Sequence, residues 1–174
     1  GYGDPGLVSE VLMEIALALE PKLSRVNDII LDASYFAQPL VIPGISSSSE
    51  PYDAPNGALC VNFNTVFFKK ENGTYLSAEP QTPLLPMVLS RVRSSNLNEG
   101  RIVLSHNENE ITLYSGYLFD YYLRQVDMEV TGKIAIGTVR PGRDRLIYRH
   151  QSSLMLSDTI ARLLAFSNNY STNQ

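Results

Sequence analysis

Ser167 and Asn169 stand two residues apart at the end of a predicted helix, 157–168. A hydroxyl and a carboxamide at that spacing, on a tight helix-to-loop segment, can point into one cleft. There the one can carry a proton and the other can hold a carbonyl or an amine. Alone the pair carries little weight, because Ser and Asn also favour frayed helix C-termini. The other chemistry-bearing residues are scattered. His106 and His150 are far apart and have no Cys or His partner at metal-ligand spacing. "HNENE" at 106–110 lacks the spacing of a calcium loop and reads as a solvated hairpin tip. Cys60 is the one cysteine, sits in an apolar run, and reads as a small buried hydrophobe. Asn72-Gly73-Thr74 satisfies a glycosylation sequon and equally spells a hairpin turn. Tyr114, Tyr117, Tyr121 and Tyr122 cluster in sequence, which points to core packing rather than a ligand platform. Arg140, Arg143, Arg145 and Arg149 form a small basic group, read as a solvated face or as a contact for an anionic polymer.

Composition bounds the answer. The 174 residues suffice for one good core or two small lobes. Apolar residues make up 44% and charged ones 18%, as in an ordinary folded protein. A net charge of −4 leaves no electrostatic footprint for nucleic acid. No apolar stretch reaches the roughly 18 residues of a membrane span. No signal peptide is visible, and the first residue is Gly, so the expectation is a mature chain, a domain or a proteolytic fragment.

The elements that would position these residues alternate between helix and strand. Asp4 is a plausible N-cap with Pro5 after it, and apolar residues from Leu7 to Leu19 recur at helical spacing until Pro21. Residues 28–34 read as a short buried strand, 43–55 as a loop, and 59–68 as a strand. "ENG" at 71–73 turns that strand into another over 74–78. A short helix is expected over 84–93. Strands at 101–105 and 110–114 would flank a hairpin, followed by a helix over 117–126 with Leu118, Tyr121, Tyr122 and Leu123 as its apolar side. A strand at 132–139, a turn at "RPGRD" and a strand at 145–149 lead to the last helix. Ile160, Leu163 and Leu164 form the apolar stripe of that helix. The class is α+β, without internal repeats.

Five blocks then stand in order: "GYGDPGL" (1–7), "RVNDIILDASYFA" (25–37), "PYDAPNGALCVNFNTVFF" (51–68), "SGYLFDYYLRQVDMEVTGKIAIG" (115–137) and the helix ending in Ser-Asn-Asn. Together they resemble the Dac-type D-alanyl-D-alanine carboxypeptidases, the class C low-molecular-mass penicillin-binding proteins. The first four resemble the domain inserted into the catalytic fold and its return; the last resembles the Ser-x-Asn motif. The resemblance implies that 1–145 is the inserted accessory domain, with a reduced sub-lobe at 77–114. It implies that 146–174 starts the return into a serine-transpeptidase-like catalytic domain. It also implies that Ser167 relays a proton to the leaving amine and Asn169 holds the catalytic Lys and the substrate carbonyl, in an acyl transfer that needs neither cofactor nor metal.

Departures from the family are equally definite. The family's nucleophile lies in Ser-x-x-Lys. The four lysines here, Lys22, Lys69, Lys70 and Lys133, are preceded three residues earlier by Leu19, Val66, Phe67 and Val130. The Lys-Thr-Gly strand is also missing, and Met155 stands where the family has Pro before the last helix. The expected function is therefore part of a carboxypeptidase- or endopeptidase-like protein acting on peptidoglycan stem peptides, not competent alone. Its partners, a stem peptide or a β-lactam, would require a complete catalytic domain, and its place would be the periplasm or cell envelope. The alternative is a non-catalytic envelope scaffold that kept the architecture. Three apolar residues on helix 157–168 without their family partners also predict self-association through that helix, or its resting on the chain's own core.

Overall fold

Asn62 Oδ1 accepts the backbone N–H of Ser9 at 2.9 Å, and there the first helix begins. The computed structural model describes residues 1–37, 44, 46–153, 155 and 157–161. Helix α1 spans Ser9–Leu19. It starts later than its Asp4-Pro5 signal because Asp4 Oδ1 instead accepts the N–H of Gly6 in a local turn at 2.8 Å. One of the free N–H groups at the helix start is thus met by a residue 53 positions away in sequence rather than by a local cap. A 3₁₀ turn over Glu20–Lys22, carrying Pro21, comes after the helix.

Two short parallel ribbons lie beside α1. Strand β1 (Arg25–Val26) pairs with β6 (Glu129–Val130), and β2 (Ile29–Leu31) pairs with β7 (Ile134–Ile136). Gly132 N–H bonds to the Asn27 carbonyl between the two ribbons. A Cβ on Gly132 would come within 2.3 Å of that carbonyl oxygen, so only glycine fits this close approach. The strand expected at 28–34 is the three-residue β2, and that at 132–139 is β7. β1 and β6 were too short to read from periodicity.

Everything between β2 and β6 is carried as an excursion from these ribbons. Strand β3 (Thr65–Glu71) is the middle of an antiparallel sheet, with β4 (Thr74–Ser77) on one side and β5 (Glu99–Val103) on the other. Asn72 and Gly73 both have positive φ (50° and 82°), the two-residue turn that the sequence signalled. The segment 59–64 is not strand: Cys60 and Val61 are buried, and Asn62–Asn64 forms a 3₁₀ turn before β3. The helix expected over 84–93 is a 3₁₀ turn at Pro86–Val88 running into α2 (Leu89–Ser94).

The hairpin expected at 101–105 and 110–114 does not form. Asn107 Oδ1 accepts the N–H of Glu110 at 3.1 Å, and one helix, α3, runs over Glu108–Gln125. The supposed hairpin tip is the cap of this helix, with Glu108 and Glu110 in its first turn, where carboxylates favour the positive end of the helix dipole. Helix α3 lies against α1 and β2–β7; a Cβ on Gly116 would meet Leu31 and Ile134 at 2.6 Å. Leu12, Ala16, Leu31, Phe68, Val92, Leu118 and Leu123 pack in the common core. Tyr114 and Tyr122 join that core, whereas Tyr117 and Tyr121 are exposed. The strand expected at 145–149 is absent; that segment is irregular and almost wholly exposed. Pro141–Asp144 is a turn, with Gly142 at φ 80°, as "RPGRD" predicts. Residues 157–161 are helical, and Ile160 is 45% exposed there.

Candidate functional site

Ser167 and Asn169, with Leu163 and Leu164 of the expected apolar stripe, lie outside the described residues. Three of the four lysines are engaged away from serine. Lys22 sits over the Tyr148 ring at 4.9 Å, Lys70 over Tyr75 at 5.1 Å, and Lys69 pairs with Glu71 at 2.7 Å. Among the described residues no serine hydroxyl is bonded to a lysine amine, the arrangement an activated serine would need. No group of three or more His, Cys, Asp or Glu converges there as a metal site would require.

Two polar arrangements are built with care. The first fixes the junction of α1, the Asn62–Asn64 turn and α3. Asn62, Phe63 and Asn64 all have positive φ (53°, 58° and 52°), three left-handed residues in a row and none of them glycine. Such backbone persists only where its surroundings over-determine it. Asn62 Nδ2 donates to Ser9 Oγ at 2.9 Å, in addition to the Oδ1 contact that starts α1. Thr82 Oγ1 donates to the same Ser9 Oγ at 2.7 Å, and Thr65 Oγ1 donates to the Asn62 carbonyl at 2.8 Å. Asn64 Nδ2 donates to the Pro55 carbonyl at 2.5 Å and to Cys60 Sγ at 2.8 Å, so the lone thiol serves as a buried acceptor. Tyr122 closes the group by donating to the Gln81 carbonyl at 2.5 Å. Burial pushes the Tyr122 and Tyr114 phenols upward, so both stay protonated.

The second is a serine-rich recess of about 360 Å³ between the 46–49 loop, α2 and the end of β5. Two carboxylates organise its edge. Asp53 accepts the Ser46 N–H (2.8 Å) and the hydroxyls of Ser46 and Ser48 (both 2.5 Å). The Ser46 hydroxyl foremost, against the cost of burial, holds Asp53 below the usual carboxylate range. Glu110 accepts the Ser105 hydroxyl at 2.6 Å and pairs with Arg91, and the serine bond foremost lowers its pKa too. His106 Nε2 lies 2.8 Å from the Ser48 carbonyl, so that nitrogen is the donor. The hydroxyls of Ser48 and Ser105 are therefore given to carboxylates, and His106 is given to a carbonyl. Among the described residues no hydrogen bond joins a serine hydroxyl of the recess to the His106 ring.

No protein-family profile matches the chain, and no curated protein matches it in sequence. A structural likeness is clear. The crystal structure of penicillin binding protein 4 from Haemophilus influenzae superposes on 97% of this chain with a TM-score of 0.70. The fold is like that of part of a penicillin-binding protein. Identity over the match is 16%, and the chain spans 44% of that protein's length. The likeness therefore speaks for the fold, as the ordered sequence blocks do. No helix among the described residues is long and apolar enough to cross a membrane.

Sequence reasoning missed the polar junction. Its signal was present in Val61-Asn62-Phe63-Asn64, since asparagine is the side chain that best tolerates left-handed backbone after glycine. The partners, Ser9 and Thr82, are 53 and 73 positions from the residues they bond, beyond the reach of any local pattern.

Proposed function

We propose that this chain is the central part of a D-alanyl-D-alanine carboxypeptidase- or endopeptidase-like protein of the cell envelope. In this reading residues 1–145 form the inserted accessory domain, with 77–114 as its reduced sub-lobe, and 146–174 begin the return into the catalytic fold. Chemistry on peptidoglycan stem peptides would be serine acyl transfer, with nucleophile and lysine supplied outside this sequence. Ser167 would relay the proton to the leaving D-alanine, and Asn169 would hold the lysine and the substrate carbonyl. One observation carries the reading: a penicillin-binding-protein-like fold covers 97% of a chain whose sequence blocks run in the order of that family.

Fluorescent penicillin labelling, with hydrolysis assays on the complete protein, tests it. The isolated chain should take no covalent label, because it contains no Ser-x-x-Lys. In the complete protein Ser167→Ala and Asn169→Ala should each lower peptide hydrolysis by roughly 10²-fold, the scale of a positioned proton-transfer group. Asn168→Ala should do much less. Labelling of the isolated chain, or equal losses at all three positions, would sink the proposal. The second reading is a non-catalytic envelope scaffold that kept this architecture. A complete protein that also lacks Ser-x-x-Lys would select it.

A further inference from the structure

Charge is segregated along this chain. Residues 133–150 carry five cationic side chains and one carboxylate, whereas the rest carries nine cations against seventeen acids. Residues 138–147 are all exposed and irregular. The next three residues alternate: Tyr148 and His150 are half-buried, and Arg149 between them is exposed. The two inward residues are tied to the body. Lys22 Nζ lies 4.9 Å from the Tyr148 ring centre, and His150 Nε2 lies 3.8 Å from the Asp4 carboxylate. Upstream, the Pro141–Asp144 turn is closed by Asp144, whose Oδ2 accepts the Arg140 N–H at 2.7 Å. That carboxylate serves a backbone donor. Among the described residues none of the Arg140, Arg143, Arg145 and Arg149 guanidiniums makes a salt bridge.

We propose that Arg140, Arg143, Arg145 and Arg149 form a docking strip for a linear, phosphate-bearing polymer that is not a nucleic acid. Guanidinium groups present a rigid fork to phosphate oxygens, and among the described residues these four have no carboxylate partner to give up. Spread over ten residues on a segment held upstream by the Val139 N–H bond to Asp32 and downstream by Tyr148 and His150, they suit a row of anions rather than one phosphate. The segment is pinned through Tyr148 and His150, so less freedom is lost when a ligand binds. A nucleic-acid strip would interleave aromatic rings for base stacking. Between Arg140 and Arg149 the exposed apolar side chains are the aliphatic Leu146 and Ile147, and the ring in that stretch, Tyr148, is taken up by Lys22. The acidic remainder of the chain would confine a polyanion to this strip.

Fluorescence anisotropy with end-labelled inorganic polyphosphate tests the strip on the full chain. Binding is expected at low salt, with a log–log salt slope of about −2 to −3, the release expected for three or four phosphate contacts on a single strand. Arg145→Ala with Arg149→Ala should weaken binding roughly tenfold or more and flatten the slope by about 1.4. Lys69→Ala with Lys70→Ala, on β3 and outside the strip, should change it less than about twofold. Orthophosphate at equal phosphate concentration should not compete. The proposal is overturned if polyphosphate does not bind at low salt, or if the arginine pair leaves binding unchanged. It is also overturned if polyglutamate or a single-stranded oligonucleotide of equal charge binds as tightly, since these mark an acidic protein or a nucleic acid as the partner.

Discussion

Asn62→Ala should be among the most damaging single changes in this chain, through mechanisms that can be separated. The side chain is 5% exposed and makes two bonds to Ser9, which is fully buried. Alanine leaves the Ser9 N–H buried without its acceptor, a cost of about 1–3 kcal/mol. Ser9 Oγ keeps its contact from Thr82, so its loss is smaller. Alanine at φ 53° adds about 1 kcal/mol of left-handed strain. The sum is about 3 kcal/mol, or a fall in melting temperature of roughly 6–12 °C for a domain of this size. Asn62→Gly removes the strain but not the hydrogen-bond loss, so it should be milder than alanine by about 1 kcal/mol. Calorimetric melting of the two variants beside the parent chain decides. An alanine variant melting within roughly 2 °C of the parent would refute the reasoning. A glycine variant as unstable as alanine would remove the strain component alone.

Two further outcomes rest on local geometry. Asp32 is held down to about 2, chiefly by the Ser34 hydroxyl and then by the N–H groups of Val139 and Ser34. A carboxyl lower in the folded state than its ordinary 3.8 stabilises above that value and loses its contribution as pH falls towards about 2. Asp32→Asn should therefore cost about 1 kcal/mol near neutrality, after discounting for solvent screening, and much less near about pH 2. Thermal melts of both proteins across that range measure the difference; a gap independent of pH would contradict the assignment. Asn107→Ala should cost about 1 kcal/mol by uncapping α3. Hydrogen exchange at the Glu110 amide should accelerate, and an unchanged rate there would show that the cap is idle.

Much of the fold was legible wherever a few adjacent residues decide. Asn72-Gly73 specified its hairpin because both positions need positive φ, and Pro141-Gly142 its turn for a similar reason. Cys60 reads as buried from its apolar neighbours and is 2% exposed. The ordered blocks pointed to a penicillin-binding-protein-like fold, and the structural likeness agrees at that level. Other features needed information from afar. Asn107 and Glu110 carry a capping signal, but alternation on either side of "HNEN" also suited a hairpin. Packing on α1 and on β2–β7 selects the 18-residue helix, since Ile111, Tyr114, Leu118 and Tyr122 then fall on one buried side.

The sequence by itself determined the local turns, the apolar stripes, the α+β class and the absence of any Ser-x-x-Lys. Tertiary structure alone decided where α1 begins, that three non-glycine residues turn left-handed, and that β1–β2 find β6–β7. The physical reason is the same in each case. A buried N–H must have an acceptor, and the group that supplies it can lie anywhere in the chain, 53 residues away for Ser9.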